Sequence, residues 1–289
     1  MKLALVQTAP ETGYALLDSG DGEKLERYGQ YVLARPDPQA IWRKHLPQED
    51  WYKAHLTFVR EVEQGKWRKR EGVPTEWTTT LGGSQFLIKP TVFKHTGVFP
   101  EQVENWQWMA ERIRSAKRPV TILNLFGYTG GATLACLSAG AEVVHCDGSK
   151  TAIEWAKKNA ALSGVADKPV RWILDDARAF VKREIKRGKT YDGIVMDPPA
   201  FGHGAKKEVW KIEEDLLELV ENCQKLLTSQ PLFFLLNGYS AGYSAIAYGQ
   251  MLTPLVERYG GQIEQGELAI LEEGSQRSLP SGIFARWSI

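Results

Sequence analysis

The pattern of hydrophobic and polar positions changes near residue 118 of the chain. Before that point, Gly, Pro and Asp residues interrupt short apolar runs, which is typical of short strands and loops. The runs at 86–88 and 91–93 resemble a small sheet, whereas residues 102–114 repeat apolar side chains at helical spacing. We therefore predict a smaller β-rich N-terminal domain over residues 1–117, with a role in substrate recognition.

From residue 118 to residue 289, compact apolar runs alternate with amphipathic stretches. The runs predict strands at 120–125, 142–146, 170–174, 191–196, 232–236, 263–271 and 283–287, and the stretches between them predict helices at 132–139, 149–162, 177–186, 212–227 and 245–259. Such alternation predicts an α/β domain with a doubly wound, mostly parallel, seven-stranded sheet. Because no helix separates the last two strands, we expect an antiparallel pair at one edge.

Composition excludes few classes of protein. The net charge of +1 provides no strong attraction to a polyanion, so contact with nucleic acid would need a local basic patch. Three scattered cysteines predict neither a disulfide framework nor a metal site, and a reducing setting fits them best. We find no secretory signal and no apolar run near the roughly 20 residues of a membrane span. We expect a soluble, cytoplasmic protein without metal.

A turn rich in glycine follows the first strand of this domain, where doubly wound sheets bind ligands. Its residues are Phe126, Gly127, Tyr128, Thr129 and Gly130, and the amides of the next helix can receive a carboxylate or phosphate there. The spacing does not match Gly-x-Gly-x-x-Gly, the fingerprint of dinucleotide sites. Tight packing also requires glycine, so the turn by itself leaves a cofactor role and a structural role open.

Acidic residues follow the next two predicted strands. Asp147 stands about 20 residues beyond the glycine turn, the distance at which a carboxylate meets the ribose hydroxyls of an adenosine-containing ligand. Asp176, which precedes Ala177, can accept a hydrogen bond from an adenine amino group. Each carboxylate can instead cap the helix that follows it. Because both are in register with the glycine turn, we favour an adenosine-binding site.

The fourth predicted strand ends at Asp197, Pro198, Pro199, Ala200 and Phe201. Two prolines make this loop stiff, and its carbonyls can accept hydrogen bonds from a planar amino group. A nucleobase can stack on Phe201. The structural alternative is a rigid turn with a buried phenylalanine, but the adenosine-type positions before it favour an acceptor pocket.

Together, residues 124–131, Asp147, Asp176, Ala177 and 197–201 resemble motifs I to IV of class I methyltransferases. More closely, they resemble the 23S rRNA large-subunit methyltransferase family, which includes the 5-methylcytosine enzymes. Residues 95–102 are similar to that family's Lys-Thr-Gly-x-x-x-Asp-Gln segment, with His95 in place of Lys and Glu101 in place of Asp.

The resemblance implies a methyltransferase that uses S-adenosylmethionine and methylates a base in RNA, with rRNA as the first expectation. It implies a cofactor site of Phe126, Gly127, Tyr128, Thr129, Gly130, Asp147, Asp176, Ala177, Thr96 and Gly97. It also implies catalytic residues Asp197, Pro198, Pro199 and Phe201, and substrate contacts from Phe99 and Gln102. A base inside a duplex cannot reach the methyl group, so the target must be unpaired or flipped out.

Two features depart from the family pattern. Residues 1–117 do not resemble the PUA RNA-binding domain of many relatives. Enzymes that methylate cytosine C5 first add a cysteine thiolate to C6, and the relatives place that thiol after the fifth strand. Residues 235–240 contain no cysteine, so we expect a ring or exocyclic nitrogen as the target. Asn237, in this stretch, could orient the base or cap the turn.

Contact with RNA would use basic residues. The best patch is 66–70, basic with one tryptophan, and a second group comprises Arg112, Arg114, Lys117 and Arg118. Lys206, after the acceptor loop, could reach a phosphate. Both patches could equally be solvated surface.

Other functions remain open at this level. A methyltransferase of this fold could act on a protein or a small molecule, because fold and cofactor site do not fix the acceptor. A nicotinamide-dependent oxidoreductase is disfavoured by the missing fingerprint, and a non-catalytic RNA-binding module is a third class.

Overall fold

The computed structural model describes residues 3–60, 65–204, 208–239 and 242–289. By its internal contacts the chain forms two compact units. The large-sheet unit comprises Met1–Val6, Asn105–Glu267 and Gly282–Ile289, and the N-terminal unit comprises Gln7–Glu104 and Leu268–Ser281. Two predictions stay predictions at this point: a recognition role for residues 1–117 and a methyltransferase domain over residues 118–289.

The elements before residue 118 are β1 (Ala4–Thr8), β2 (Tyr14–Gly20), β3 (Glu23–Tyr28), β4 (Tyr31–Pro36), α1 (Gln48–Tyr52), β5 (Leu56–Arg60), β6 (Gly65–Lys69), β7 (Trp77–Leu81), β8 (Ser84–Ile88), a 3-10 turn (Pro100–Gln102) and α2 (Val103–Ser115). The elements after it are β9 (Thr121–Leu125), α3 (Gly131–Ser138), β10 (Glu142–Asp147), α4 (Lys150–Leu162), β11 (Val170–Leu174), α5 (Ala177–Lys186), β12 (Gly193–Met196), β13 (Phe201–His203), β14 (Val209–Lys211), α6 (Ile212–Gln224), β15 (Phe233–Gly238), α7 (Ala245–Tyr259), β16 (Gln262–Leu271) and β17 (Ser278–Ser288).

The N-terminal unit is rich in β-structure, as predicted. Its described residues form a five-stranded sheet in the order β2-β3-β4-β5-β6 and a two-stranded sheet of β7 and β8. Asp21 and Gly22 join β2 to β3 with φ angles of 51° and 78°, as a tight hairpin turn requires. Burial would raise the pKa of Glu26, but the guanidinium of Arg35, 2.5 Å away, holds it down at about 2.

One predicted strand of this unit is wrong. Residues 91–93 do not pair with 86–88; they begin a turn in which the Lys94 amide donates to the Thr91 carbonyl over 3.0 Å. Lys94 has a φ of 65°, and Val92 and Phe93 are exposed. The β-branched and aromatic residues there mimic a strand in sequence, whereas β8 pairs with β7 instead.

The large sheet has the order β1-β16-β17-β15-β12-β9-β10-β11 among the described residues. Strands β15, β12, β9, β10 and β11 are parallel to their neighbours in this run, and β17 lies antiparallel to β15. This confirms the doubly wound, mostly parallel fold. The sheet has one strand more than the seven predicted, because β1 pairs at its edge.

Local signals explain why the helices begin where they do. Ser149, Asp176 and Ser244 are the N-caps of α4, α5 and α7, and each side chain accepts a hydrogen bond from a first-turn amide. The apolar faces of α5, α6 and α7 pack with the central strands in one hydrophobic core. Within the described part of the chain, no helix has the length and apolar character needed to cross a membrane.

Candidate cofactor and acceptor site

The glycine turn, residues 126–130, leaves β9 in an unusual backbone conformation. Phe126 and Tyr128 have φ angles of 55° and 47°, in the left-handed region that non-glycine residues rarely adopt. Such strain persists only where surrounding structure fixes it, and it clusters at ligand sites. The turn ends at Gly130, the N-cap residue of α3, which has no side chain and so provides no capping group for the first amides of that helix.

Packing beneath the turn excludes side chains at two glycines. A Cβ on Gly127 would lie 2.4 Å from Cε1 of His145, and one on Gly131 would lie 2.2 Å from Cζ2 of Trp106. The packing explanation for these glycines therefore holds. It is compatible with a cofactor role, because the same contacts hold the backbone close to the strand ends.

A buried polar chain supports the turn from below. Nδ2 of Asn124 donates to Oγ1 of Thr133 over 2.9 Å, and Oγ1 lies 2.9 Å from Nδ1 of His145. Burial lowers the pKa of His145 to about 3, so the ring is neutral at physiological pH. This neutral ring packs directly against Gly127.

Asp147, at the end of β10, organises the same turn. Its Oδ2 accepts from the Tyr128 amide over 2.8 Å, and its Oδ1 accepts from the Ser149 amide over 2.7 Å. Ser149, not Asp147, caps α4. Burial raises the pKa of Asp147, although both amides act against the shift. Since a carboxylate oxygen can accept more than one hydrogen bond, a ribose contact remains compatible with this geometry.

Asp176 has the structural role that the sequence left open. It caps α5 by accepting from the Ala179 amide over 3.0 Å, and it pairs with Arg178 at 2.9 Å. Ala177 is the first residue of the helix. Contacts of Asp176 and Ala177 with an adenine stay predictions.

The acceptor loop, residues 197–201, follows β12, which neighbours β9 in the sheet. Burial raises the pKa of Asp197 to about 6. Phe201 is 57% exposed, so the alternative of a buried phenylalanine is wrong. The Pro199 carbonyl, expected to be free for substrate, instead accepts from Nε1 of Trp210 over 2.6 Å.

A hairpin of β13 and β14, which the sequence did not predict, extends this loop. The ring of Trp210 on β14 lies 4.9 Å from that of Phe126, so one side chain joins the acceptor loop to the glycine turn. The hairpin also approaches the ends of β10 and β11. A Cβ on Gly148 would lie 3.1 Å from Cα of Gly204, and a Cβ on Gly204 would lie 3.2 Å from Cβ of Asp176. The alternation of apolar and polar residues around Val209-Trp210-Lys211 was the available signal for the second strand of this hairpin.

Lys206, proposed for phosphate contact, lies outside the described residues.

Asn237 lies near the end of β15, in the strand beside β12. It is buried, and its Oδ1 accepts from Nδ2 of Asn105 over 2.9 Å. Oδ1 of Asn105 in turn accepts from Arg286 over 3.1 Å. These contacts fix the Asn237 amide; its role in orienting a base stays a prediction.

Four predicted site residues belong to the N-terminal unit. Oγ1 of Thr96 donates to the Tyr28 hydroxyl over 3.3 Å, and Gly97 has a φ of 103°. The amide of Gln102 donates to the Phe99 carbonyl over 3.2 Å. The cofactor roles of Thr96 and Gly97 and the substrate roles of Phe99 and Gln102 stay predictions.

Residues of both basic patches make contacts within the protein, and a role in RNA contact stays a prediction. In the patch 66–70, the half-buried Trp67 packs edge-on with Phe58 and its indole donates to the Thr91 carbonyl over 2.8 Å, so contacts within the N-terminal unit fix its orientation. In the second group, Arg112 lies over the Trp108 ring at 3.8 Å and Arg118 pairs with Asp192 at 2.8 Å. The two arginines therefore already have protein partners.

A doubly wound sheet with a glycine turn after its first crossover strand places the protein among the Rossmann-like proteins. The model of a family described as S-adenosylmethionine-dependent methyltransferase matches residues 35–231. The chain therefore belongs to the family of S-adenosylmethionine-dependent methyltransferases, which confirms the resemblance and the expected cofactor.

Individual relatives agree with this family. The crystal structure of a SAM-dependent methyltransferase from Agrobacterium tumefaciens is 40% identical, with a TM-score of 0.94 over 99% of this chain and 93% of that one. Ribosomal RNA large subunit methyltransferase K of Neisseria meningitidis is 26% identical over 79% of this chain and 66% of its own length. Ribosomal RNA large subunit methyltransferase K/L of Pseudoalteromonas atlantica is 30% identical over 70% of this chain. The chain spans only 30% of that protein.

Proposed function

We propose that this protein transfers a methyl group from S-adenosylmethionine to a base in RNA, with large-subunit rRNA as the first candidate. The observation that carries the proposal is the exposed ring of Phe201 on the stiff loop beside the glycine turn. The names of the Neisseria and Pseudoalteromonas relatives support rRNA as the acceptor. An RNA substrate of this kind is consistent with a cytoplasmic protein.

The glycine turn suits the cofactor. Gly127 and Gly131 allow no Cβ, and the amides at the start of α3 have no capping side chain, so a methionine carboxylate would find hydrogen-bond donors there. Asp147 would hold the ribose, with Asp176 and Ala177 on the adenine side. When bound, the cofactor supplies a methyl group on a positively charged sulfur.

The acceptor loop would position the base. Its stiffness fixes Asp197 relative to the glycine turn, and the carboxylate can accept a hydrogen bond from an amino or imino group of the base. Phe201 offers a face for stacking. Because transfer depends on alignment of the acceptor atom with the methyl group, these contacts would act by orientation. A paired base could not enter, so an unpaired or flipped base is required.

A nitrogen atom is the proposed target. Burial raises the pKa of Cys136 to about 12, and it also raises the pKa values of Cys146 and Cys223. All three thiols are buried, and none follows β15, so they are unsuited to forming the adduct that C5 methylation needs.

Mass spectrometry of nucleosides from digested RNA tests this function. We expect one methylated nucleoside to disappear from rRNA when the gene is deleted and to return with the wild-type gene but not with an Asp197→Ala variant. If every methylated nucleoside persists in total RNA, the RNA assignment is wrong.

A further inference from the structure

The buried hydroxyl of Tyr248 has no hydrogen-bond partner among the described residues. Tyr248 lies on α7 and is 1% exposed. Buried polar groups in folded proteins nearly always have a partner, so one without a partner calls for an explanation. A substrate that supplies the missing partner is one such explanation.

The position of this hydroxyl favours a ligand-binding role. A Cβ on Gly238 would lie 2.4 Å from Oη of Tyr248, which places the hydroxyl at the carboxyl end of β15. The register of β12 with β15 pairs Met196 with Leu236, so Asp197 and Asn237 follow side by side at this same edge. The hydroxyl therefore lies where the acceptor loop begins.

The electrostatics agree with this placement. Burial and, next, the negative charge of Asp197 raise the pKa of Tyr248, so the phenol stays protonated and can donate. A protonated phenol beside a carboxylate presents one donor and one acceptor. The edge of a nucleobase presents the complementary pair, an acceptor atom next to an N–H.

Exposed aromatic side chains flank the same strand end. Tyr239 follows β15 directly and is 42% exposed; Tyr243 is 40% exposed, and its ring lies 6.3 Å from that of Tyr248. Exposed rings beside a strand end suit a flat, aromatic acceptor.

We propose that the Tyr248 hydroxyl binds the methyl acceptor, donating a hydrogen bond to the edge of the target base next to Asp197. This inference rests on the function proposed above.

Tyr259 provides a matched control on the same helix. Its hydroxyl is also buried without a partner among the described residues, but its ring packs on Trp287 at 5.7 Å, about three turns from Tyr248. The changes Tyr248→Phe and Tyr259→Phe each remove one oxygen and keep the ring. Because neither oxygen has a partner to lose, both variants should melt at or above the wild-type temperature.

The test measures transfer of labelled methyl groups from S-adenosylmethionine to protein-free total RNA from cells lacking the gene. We expect Tyr248→Phe to lower kcat/KM for RNA about tenfold, a usual effect of one lost hydrogen bond, while the Kd for S-adenosylhomocysteine stays within about twofold. Tyr259→Phe should match the wild type in both.

Three results would overturn the inference. Equal kcat/KM values for Tyr248→Phe and Tyr259→Phe would leave the hydroxyl without a substrate role. A raised Kd for S-adenosylhomocysteine with no effect on kcat/KM for RNA would assign the hydroxyl to the cofactor. If the wild-type protein methylates no RNA, the proposed function fails first and this inference fails with it.

Discussion

The glycine turn and the acceptor loop follow neighbouring strands, β9 and β12, but are held in different ways. The glycine turn rests on His145 and Trp106, with no room for a Cβ at Gly127 or Gly131. The acceptor loop depends on its two prolines and on the hydrogen bond from Trp210, and it leaves Phe201 exposed. The first region is fixed by core packing, whereas the second leaves an aromatic ring exposed. A cofactor shared by the whole family would need a turn of fixed shape. An acceptor particular to this protein would need exposed groups that contact it.

The largest effect should come from filling the space at Gly127. Gly127→Ala would force its Cβ against the buried His145 ring, at 2.4 Å in the present geometry. Overpacking of this kind costs up to about 3 kcal/mol, and a displaced turn that loses most of this in binding would bind S-adenosylhomocysteine roughly 100-fold more weakly by calorimetry. Gly202→Ala, on the hairpin of β13 and β14, is the control. Its Cβ would make an ordinary van der Waals contact, 3.4 Å from Cγ of Pro199. Equal affinities in the two variants would show that the turn is not the cofactor site.

Removing a side chain, rather than adding one, tests the acceptor loop. Phe201→Ala removes an exposed ring, so folding and cofactor affinity should stay near those of the wild type. Base stacking on an aromatic ring contributes about 1–3 kcal/mol, so the KM for RNA should rise roughly 30-fold. Steady-state methyl transfer at varied RNA concentration measures this change. An unchanged KM would remove the stacking role and, with it, the proposed contrast between the two regions.

A smaller effect should appear in the pH profile. Burial raises the pKa of Asp197 to about 6, so the carboxylate becomes protonated as the pH falls through 6. Its protonated form has lost the negative charge and is a weaker hydrogen-bond acceptor, so kcat/KM for RNA should fall, by up to about tenfold per pH unit, below 6. Above that value the profile should be level. Asp197→Asn should have lower activity without this step, and a step that persists in the variant would assign it to another group.

How far the sequence predicts the molecule depends on whether a feature is local. The bounds of α5 and α7 match the predicted 177–186 and 245–259, because a capping residue and a clear apolar face mark each helix. The β13–β14 hairpin was missed because its three-residue strands give little periodic signal. Strand β1 was missed because it pairs with β16, far along the chain.

For the site too, local features were predictable from the sequence and long-range contacts were not. The positions of Asp147 and Asp197 at strand ends follow from counting βα units, and the structure has them there. The links made by Trp210 and the hydroxyl of Tyr248 were not predictable, because each depends on contacts between segments distant in sequence. In the sequence, Tyr248 is one more apolar position on a helix face.

Hydrogen exchange of the backbone, with and without saturating S-adenosylhomocysteine, tests most directly whether the cofactor occupies the glycine turn. We predict slower exchange in peptides covering residues 124–134 and 145–150, where the turn, the start of α3 and Asp147 lie. Unchanged exchange in both segments at saturation would contradict this location of the cofactor site.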